Sequence, residues 1–167
     1  MMQVEASARQ RGRAIALRLL ERRLRSRAEL VAALRRRGVS AEDVVAVIGS
    51  LQRIGWIDDV RFARAWISGR LSLRPSGRRR LRAELLARGV SPVHADEALT
   101  ALMPAGREQT LALEQVQGRL RRLRGVPGTL ARRRMAAWLQ RRGFASETIV
   151  RVLRTLDVNG EEGDLPA

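Results

Sequence analysis

The chain has 167 residues, and its 33 basic side chains, every one an Arg, outnumber 17 acidic ones for a formal net charge of +16. With no Lys, Cys or Tyr and one His, it lacks a P-loop or Schiff-base lysine, a thiol nucleophile, disulfides, thiolate metal ligands and a multi-histidine centre. Its positive charge is fixed across physiological pH, its lack of Cys fits a reducing compartment, no apolar run approaches the roughly 18 residues of a membrane span, and the arginines scattered from Arg9 to Arg23 interrupt the apolar core that a secretion signal needs. The expectation is a cytoplasmic protein of ordinary hydrophobic content that folds, with no membrane association.

Residues 1–10 read as an N-terminal tail. The first repeat, residues 11–56, opens with an amphipathic stretch on Leu17, Leu20 and Leu24. Ser26 and Glu29 have capping-box spacing at the start of a second helix, which carries Leu30 and Leu34 and stops at Arg37-Gly38-Val39-Ser40. Apolar residues then return at Val44, Val47, Ile48 and Leu51, the i, i+3, i+4, i+7 stripe of a third helix. The second repeat, residues 57–103, restates the pattern: Phe62, Ala63, Trp66 and Ile67; Leu81 and Leu85 before Arg88-Gly89-Val90-Ser91; then Ala95, Ala98, Leu99 and Leu102, with Gly77 opening its middle helix. The third, residues 104–156, does so again with Leu113, Val116, Leu120 and Leu123, the punctuation Pro127-Gly128-Thr129, then Met135 and Leu139 before Arg142-Gly143-Phe144-Ala145, and Ile149, Val152, Leu153 and Leu156. No segment alternates like a strand, so the predicted fold class is all-α, three tandem three-helix repeats in an elongated arrangement whose long surface is either curved or straight. Residues 157–167 hold four acids and no base and read as a disordered acidic tail.

Each repeated turn has a local physical logic. Gly38, Gly89 and Gly143 fit C′, where a left-handed backbone suits glycine. The next apolar residue fits C″ and would close onto the C3 leucine, pairing Val39 with Leu34, Val90 with Leu85 and Phe144 with Leu139. It also fits N′ of the following helix, stapled to Val44, Ala95 or Ile149. Ser40 and Ser91 are then N-caps, Pro92 sits at N1, and Ala145 is a weaker cap.

Positive charge concentrates on the middle helices. The candidate polyanion-binding residues are Arg27, Arg35 and Arg36 in the first repeat, Arg78, Arg79, Arg80 and Arg82 in the second, and Arg132, Arg133, Arg134 and Arg141 in the third. Arg37, Arg88 and Arg142 precede the capping glycines and complement the negative ends of their helices. Arg78–Arg80 and Arg132–Arg134 instead crowd helix starts, where like charge is disfavoured by a few tenths of a kcal/mol each, so an external anion is expected there.

Other candidates have structural explanations. Asp58 fits an N-cap after Gly55-Trp56-Ile57, with Ile57 stapled to Phe62, which leaves the Asp58-Asp59 pair no need of a metal. His94 is expected on a helix surface. Trp56, Trp66, Trp138, Phe62 and Phe144 all fall on apolar positions of the pattern and are expected in the core rather than on a base-stacking surface. No nucleophile, base and cofactor motif assemble, so no catalytic residue, metal or cofactor is assigned.

The blocks Leu17-x2-Leu20-Glu21-Arg22-Arg23-x2-Ser26-x2-Glu29-Leu30, Gly55-Trp56-Ile57-Asp58-Asp59-x2-Phe62-Ala63 and Arg142-Gly143-Phe144 resemble RecX, the family of bacterial regulators of the RecA recombinase. The likeness spans about residues 14–156. Arg stands where the family commonly has Lys, and Arg88-Gly89-Val90 where it has a Lys-Gly-Ile type of sequence. The resemblance implies three tandem three-helix repeats, no enzymatic activity, and binding in the groove of the RecA filament on DNA that hinders its extension and suppresses strand exchange, ATP hydrolysis and coprotease activity. The partners so implied are the RecA filament and the phosphate backbone of single- or double-stranded DNA, met by a monomer. The competing expectation is a sequence-independent DNA-binding helical protein whose affinity comes mostly from counterion release.

Overall fold

The computed structural model describes residues 2–120 and 128–160. These form nine α-helices and no strand: α1 (Met2–Arg22), α2 (Arg27–Arg35), α3 (Ala41–Arg53), α4 (Asp59–Leu73), α5 (Arg78–Leu86), α6 (Pro92–Leu102), α7 (Arg107–Leu120), α8 (Gly128–Arg141) and α9 (Ser146–Gly160). Leu123, Pro127 and residues 161–167 of the expected tail lie outside the described residues. Among the described residues no helix is long and apolar enough to cross a membrane.

The turns follow from their glycines. Gly38, Gly89 and Gly143 have φ of 75°, 73° and 77°. The Val39, Val90 and Phe144 N–H groups donate to the carbonyls of Leu34 (3.2 Å), Leu85 (3.1 Å) and Leu139 (3.2 Å), satisfying acceptors that the helix ends would otherwise leave open. Gly55 closes α3 in the same way, with Trp56 N–H donating to Leu51 O at 2.9 Å. The predicted N-caps also form: the side chains of Ser26, Ser40, Ser91 and Asp58 accept from backbone N–H groups two or three residues on. Ser26 and Glu29 complete half of a capping box, because the Glu29 carboxylate turns to Arg23 at 3.0 Å.

Three boundaries differ from the sequence reading. α1 begins at Met2, so residues 2–10 are helical rather than a tail; Arg9 is tied to Asp43 at 3.3 Å and Arg13 to Ser50 at 3.3 Å, both on α3. Leu24 lies past the end of α1 and is exposed, whereas Ala16 and Leu19 are the buried hydrophobic residues among those described in α1. α9 runs on to Gly160, so the first residues assigned to the acidic tail continue the helix.

The described chain falls into two compact units, Met1–Trp66 with Glu84–Ala98, and Ile67–Ala83 with Leu99–Ala167. In the first, α1 packs on α2 and α3 around Leu30, Leu34, Val44, Ile48, Leu51 and Ile57. In the second, α9 packs on α7 and α8, burying Leu111, Val116, Met135, Leu139, Phe144 and Val152. The division runs through the second repeat, because each unit encloses a joint where one repeat meets the next.

The two joints use equivalent residues. In the first unit the Ser26 hydroxyl donates to the Arg88 carbonyl (2.6 Å), the Arg27 N–H donates to Asp59 Oδ1 (2.7 Å), and Gly89 lies so close to Ala28 that an added Cβ would overlap it. In the second unit the Gly77 N–H donates to the Arg142 carbonyl (3.0 Å), the Arg78 N–H donates to Glu108 Oε1 (2.8 Å), and Gly143 lies against Arg80 with no room for a Cβ. Thus the start of a middle helix sits on the glycine turn of the following repeat, and an acid from that repeat's first helix covers its open N–H.

Replacing Ser26 with Ala removes both the cap and the bond to Arg88, and the urea midpoint should report a loss of about 1–2 kcal/mol. A Cβ on Gly77 would drive into the Gly143 backbone, so Gly77→Ala should lose about 1–3 kcal/mol or more by overpacking. Gly69→Ala, where a Cβ meets nothing within 4 Å inside α4, should instead gain up to about 1 kcal/mol.

Candidate polyanion-binding site

In the first unit the predicted cations sit at the two ends of α2. Arg27 opens the helix, Arg35 and Arg36 close it, and all three are exposed. Arg25, which feels the charge of Arg36, is not among the predicted cations. Half-buried Arg25 is held below the ordinary guanidinium pKa by burial and by Arg23, Arg37 and Arg36, with Glu29 acting in the opposite sense. It stays charged near neutrality all the same. Arg37 donates to the Ala33 carbonyl at 3.1 Å, one turn back, as a residue that offsets the helix dipole should.

The second unit separates the predicted arginines into two kinds. Arg78 turns inward, donating through Nη1 to the carbonyls of Met103 (2.6 Å) and Leu99 (3.2 Å) and so closing the end of α6. Arg80 is half-buried and reaches the Arg141 carbonyl at 3.3 Å, and Arg82 is half-buried. Arg79, Arg132, Arg133, Arg134 and Arg141 are exposed.

Contrary to the expectation from sequence, neither crowded helix start calls for an external anion. At α5 the anion is internal, because Glu108 already accepts from the Arg78 N–H. At α8 the helix begins at Gly128, which puts Arg132–Arg134 more than a turn inside it, beyond the reach of the terminal dipole. What recommends the exposed arginines is their solvent-facing charge alone.

The aromatic residues also divide. Phe62 and Phe144 are core residues, but Trp66 and Trp138 are half-buried and Trp56 is 49% exposed. Trp56 stays out because its neighbour Ile57, 4% exposed, takes the core position after the Gly55 turn. The Trp66 ring is covered: the Arg88 guanidinium carbon stands 3.5 Å from its centroid, Phe62 stacks on it, and Nε1 donates to Glu84 at 3.1 Å. Trp138 has Arg119 and Arg142 nearby, each 5.0 Å from the ring centroid.

Asp58 is the N-cap of α4, accepting from Val60 N–H (2.8 Å) and Arg61 N–H (3.0 Å), while Asp59 is committed to the first joint. His94 is half-buried rather than on the surface, and its Nδ1 is enclosed without a hydrogen-bond partner. Among the described residues no three His, Cys, Asp or Glu side chains gather where they could hold a metal.

Three consecutive three-helix repeats, joined through glycine turns and carrying exposed arginines, define an all-α tandem-repeat protein. Models of the first, second and third three-helix domains of RecX match residues 13–51, 58–99 and 107–153. The chain belongs to the RecX family. It is 41% identical over 158 residues to the regulatory protein RecX of Thermobifida fusca (strain YX), covering 94% of this chain and 85% of that one. With the regulatory protein RecX of Treponema pallidum (strain Nichols) the identity is 40% over 139 residues, 83% and 81% of the two chains. The crystal structure of RecX from Lactobacillus salivarius has the same fold, with a TM-score of 0.84 at 19% identity over 92% of this chain and 99% of that one.

The two kinds of arginine predict opposite stability effects. Arg78→Gln should lose about 1–3 kcal/mol, because a charged donor to two carbonyls is removed. Arg79→Gln should stay within about 0.5 kcal/mol of the parent. Thermal melts of the two variants side by side check the contrast.

Proposed function

We propose that this protein regulates the RecA recombinase by binding the RecA–DNA filament through the exposed arginines of its middle helices. Membership of the RecX family across all three repeats carries the reading. The exposed guanidinium groups of Arg35, Arg36, Arg79, Arg133, Arg134 and Arg141 support the electrostatic part of it. Guanidinium is suited to such a mixed surface because its planar fork pairs with protein carboxylates and DNA phosphates alike.

The protein acts here as a cytoplasmic monomer without a cofactor, and its effect is inhibition rather than catalysis. A helical-repeat body set against successive RecA subunits blocks incoming DNA and restrains the subunit movements that accompany ATP turnover. Strand exchange, ATP hydrolysis and coprotease activity then fall together.

The test is a titration of RecA's DNA-dependent ATPase with purified protein. Inhibition should appear below one molecule per RecA subunit. The variant carrying Arg35→Gln, Arg36→Gln, Arg79→Gln, Arg133→Gln, Arg134→Gln and Arg141→Gln should keep its helical circular dichroism and need at least about tenfold more protein for the same effect, as the loss of several charge-assisted contacts implies. Undiminished inhibition by that folded variant overturns this surface. The net charge of +16 favours one alternative, a plain DNA binder. Such a protein would bind naked DNA as tightly as the filament, with a log–log salt slope of about −0.9 per neutralised phosphate, and would not slow RecA substoichiometrically.

A further inference from the structure

The second unit contains a cleft between α7 and α8 of about 290 Å³, lined by Glu114, Gln115, Gly118, Arg119, Trp138 and Arg142. Its volume is at the small end of ligand pockets, enough for one planar group and an attached anion. Arg119, Trp138 and Arg142 are each half-buried. Arg142 is held in place by donating to the Pro75 carbonyl at 3.0 Å. Arg119 and Arg142 stand on Trp138 at 5.0 Å from its centroid, well back from the 3.5 Å at which Arg88 covers Trp66. Both guanidinium groups are within cation–π range of the ring without close contact with it.

The charge balance of the cleft is one-sided. Arg142 is pushed below the ordinary guanidinium pKa by burial first and then by Arg74, Arg80 and Arg119, and no carboxylate acts on it in the opposite sense. Among the described residues neither Arg119 nor Arg142 is in an ion pair. Glu114 is exposed. A guanidinium cannot relieve such crowding by losing its proton, and an anion placed in the cleft would offset it.

We propose that this cleft takes one nucleotide of a single-stranded nucleic acid, its base against the Trp138 indole and its phosphate on Arg119 and Arg142. This rests on the reading of the basic surface as one that meets DNA, and it adds where a strand is held and in which form. A duplex offers phosphates but keeps its bases stacked inside, whereas an unpaired strand can turn a base onto a recessed ring. Any base fits, because every base has a π face.

The experiment uses the full chain and a short dT oligonucleotide, with no RecA present, so its outcome is independent of the ATPase test. Trp138→Leu should weaken oligonucleotide binding about tenfold and change the affinity for a duplex of equal length less than twofold. Trp138→Phe, which keeps a ring, should retain most of the binding. Arg119→Gln should weaken both ligands and reduce the salt slope by about one unit. Wild-type affinity of Trp138→Leu for the oligonucleotide overturns the proposal, and so does an equal loss for single strand and duplex. Should the leucine variant fail to fold by circular dichroism, a folded Arg119→Gln with an unchanged salt slope also overturns it.

Discussion

The structure depends on one contact made twice: the start of a middle helix pressed against the glycine turn of the next repeat. Neither joint leaves room for a side chain on its glycine: a Cβ on Gly77 would meet the Gly143 backbone in the second unit, and one on Gly89 would meet the Ala28 side chain in the first. Each contact also settles hydrogen bonds that a three-helix repeat cannot settle alone. The carbonyls of Arg88 and Arg142 accept from the Ser26 hydroxyl and the Gly77 N–H, and the first N–H of α2 and of α5 donates to Asp59 and Glu108. A buried N–H or carbonyl without a partner is costly enough that these bonds fix how repeats join.

The joints decide which arginines remain for a partner. Arg78 is drawn in to close α6 and Arg80 to the end of α8, although both belong to the same basic run as exposed Arg79. Position in a charge cluster therefore says little about availability. Trp66 and Trp138 make the same point among aromatics: both are half-buried beside arginine, but one carries a guanidinium at 3.5 Å and the other has two, each at 5.0 Å.

The turns and caps were legible in the sequence because they depend on residues within six positions of one another. The residues at C3, C′, C″ and N-cap could be named in every repeat, and Val39, Val90 and Phe144 bond as that naming requires. What the sequence could not show is what comes from afar. Ser26 and Arg88 are 62 positions apart and Arg142 and Pro75 are 67, and no periodicity marks such a meeting. Gly77 was readable as punctuation but not as a site of close approach. The anion expected at the start of α5 was real, but it was Glu108 of the same chain. The Arg74, Arg80, Arg119 and Arg142 grouping is not legible in the sequence because it is drawn from three separate segments, and neither Arg74 nor Arg119 belongs to a run of adjacent arginines.

The joints also bear on modularity. A repeat excised at its sequence boundaries is not a self-sufficient block, since half of each joint would be left behind on the neighbour. Deleting the third repeat strips the Gly77 and Arg78 N–H groups of Arg142 and Glu108 and bares the floor on which α5 begins. Shuffling or shortening this protein repeat by repeat would therefore injure the segment that was kept as well as discard the one removed.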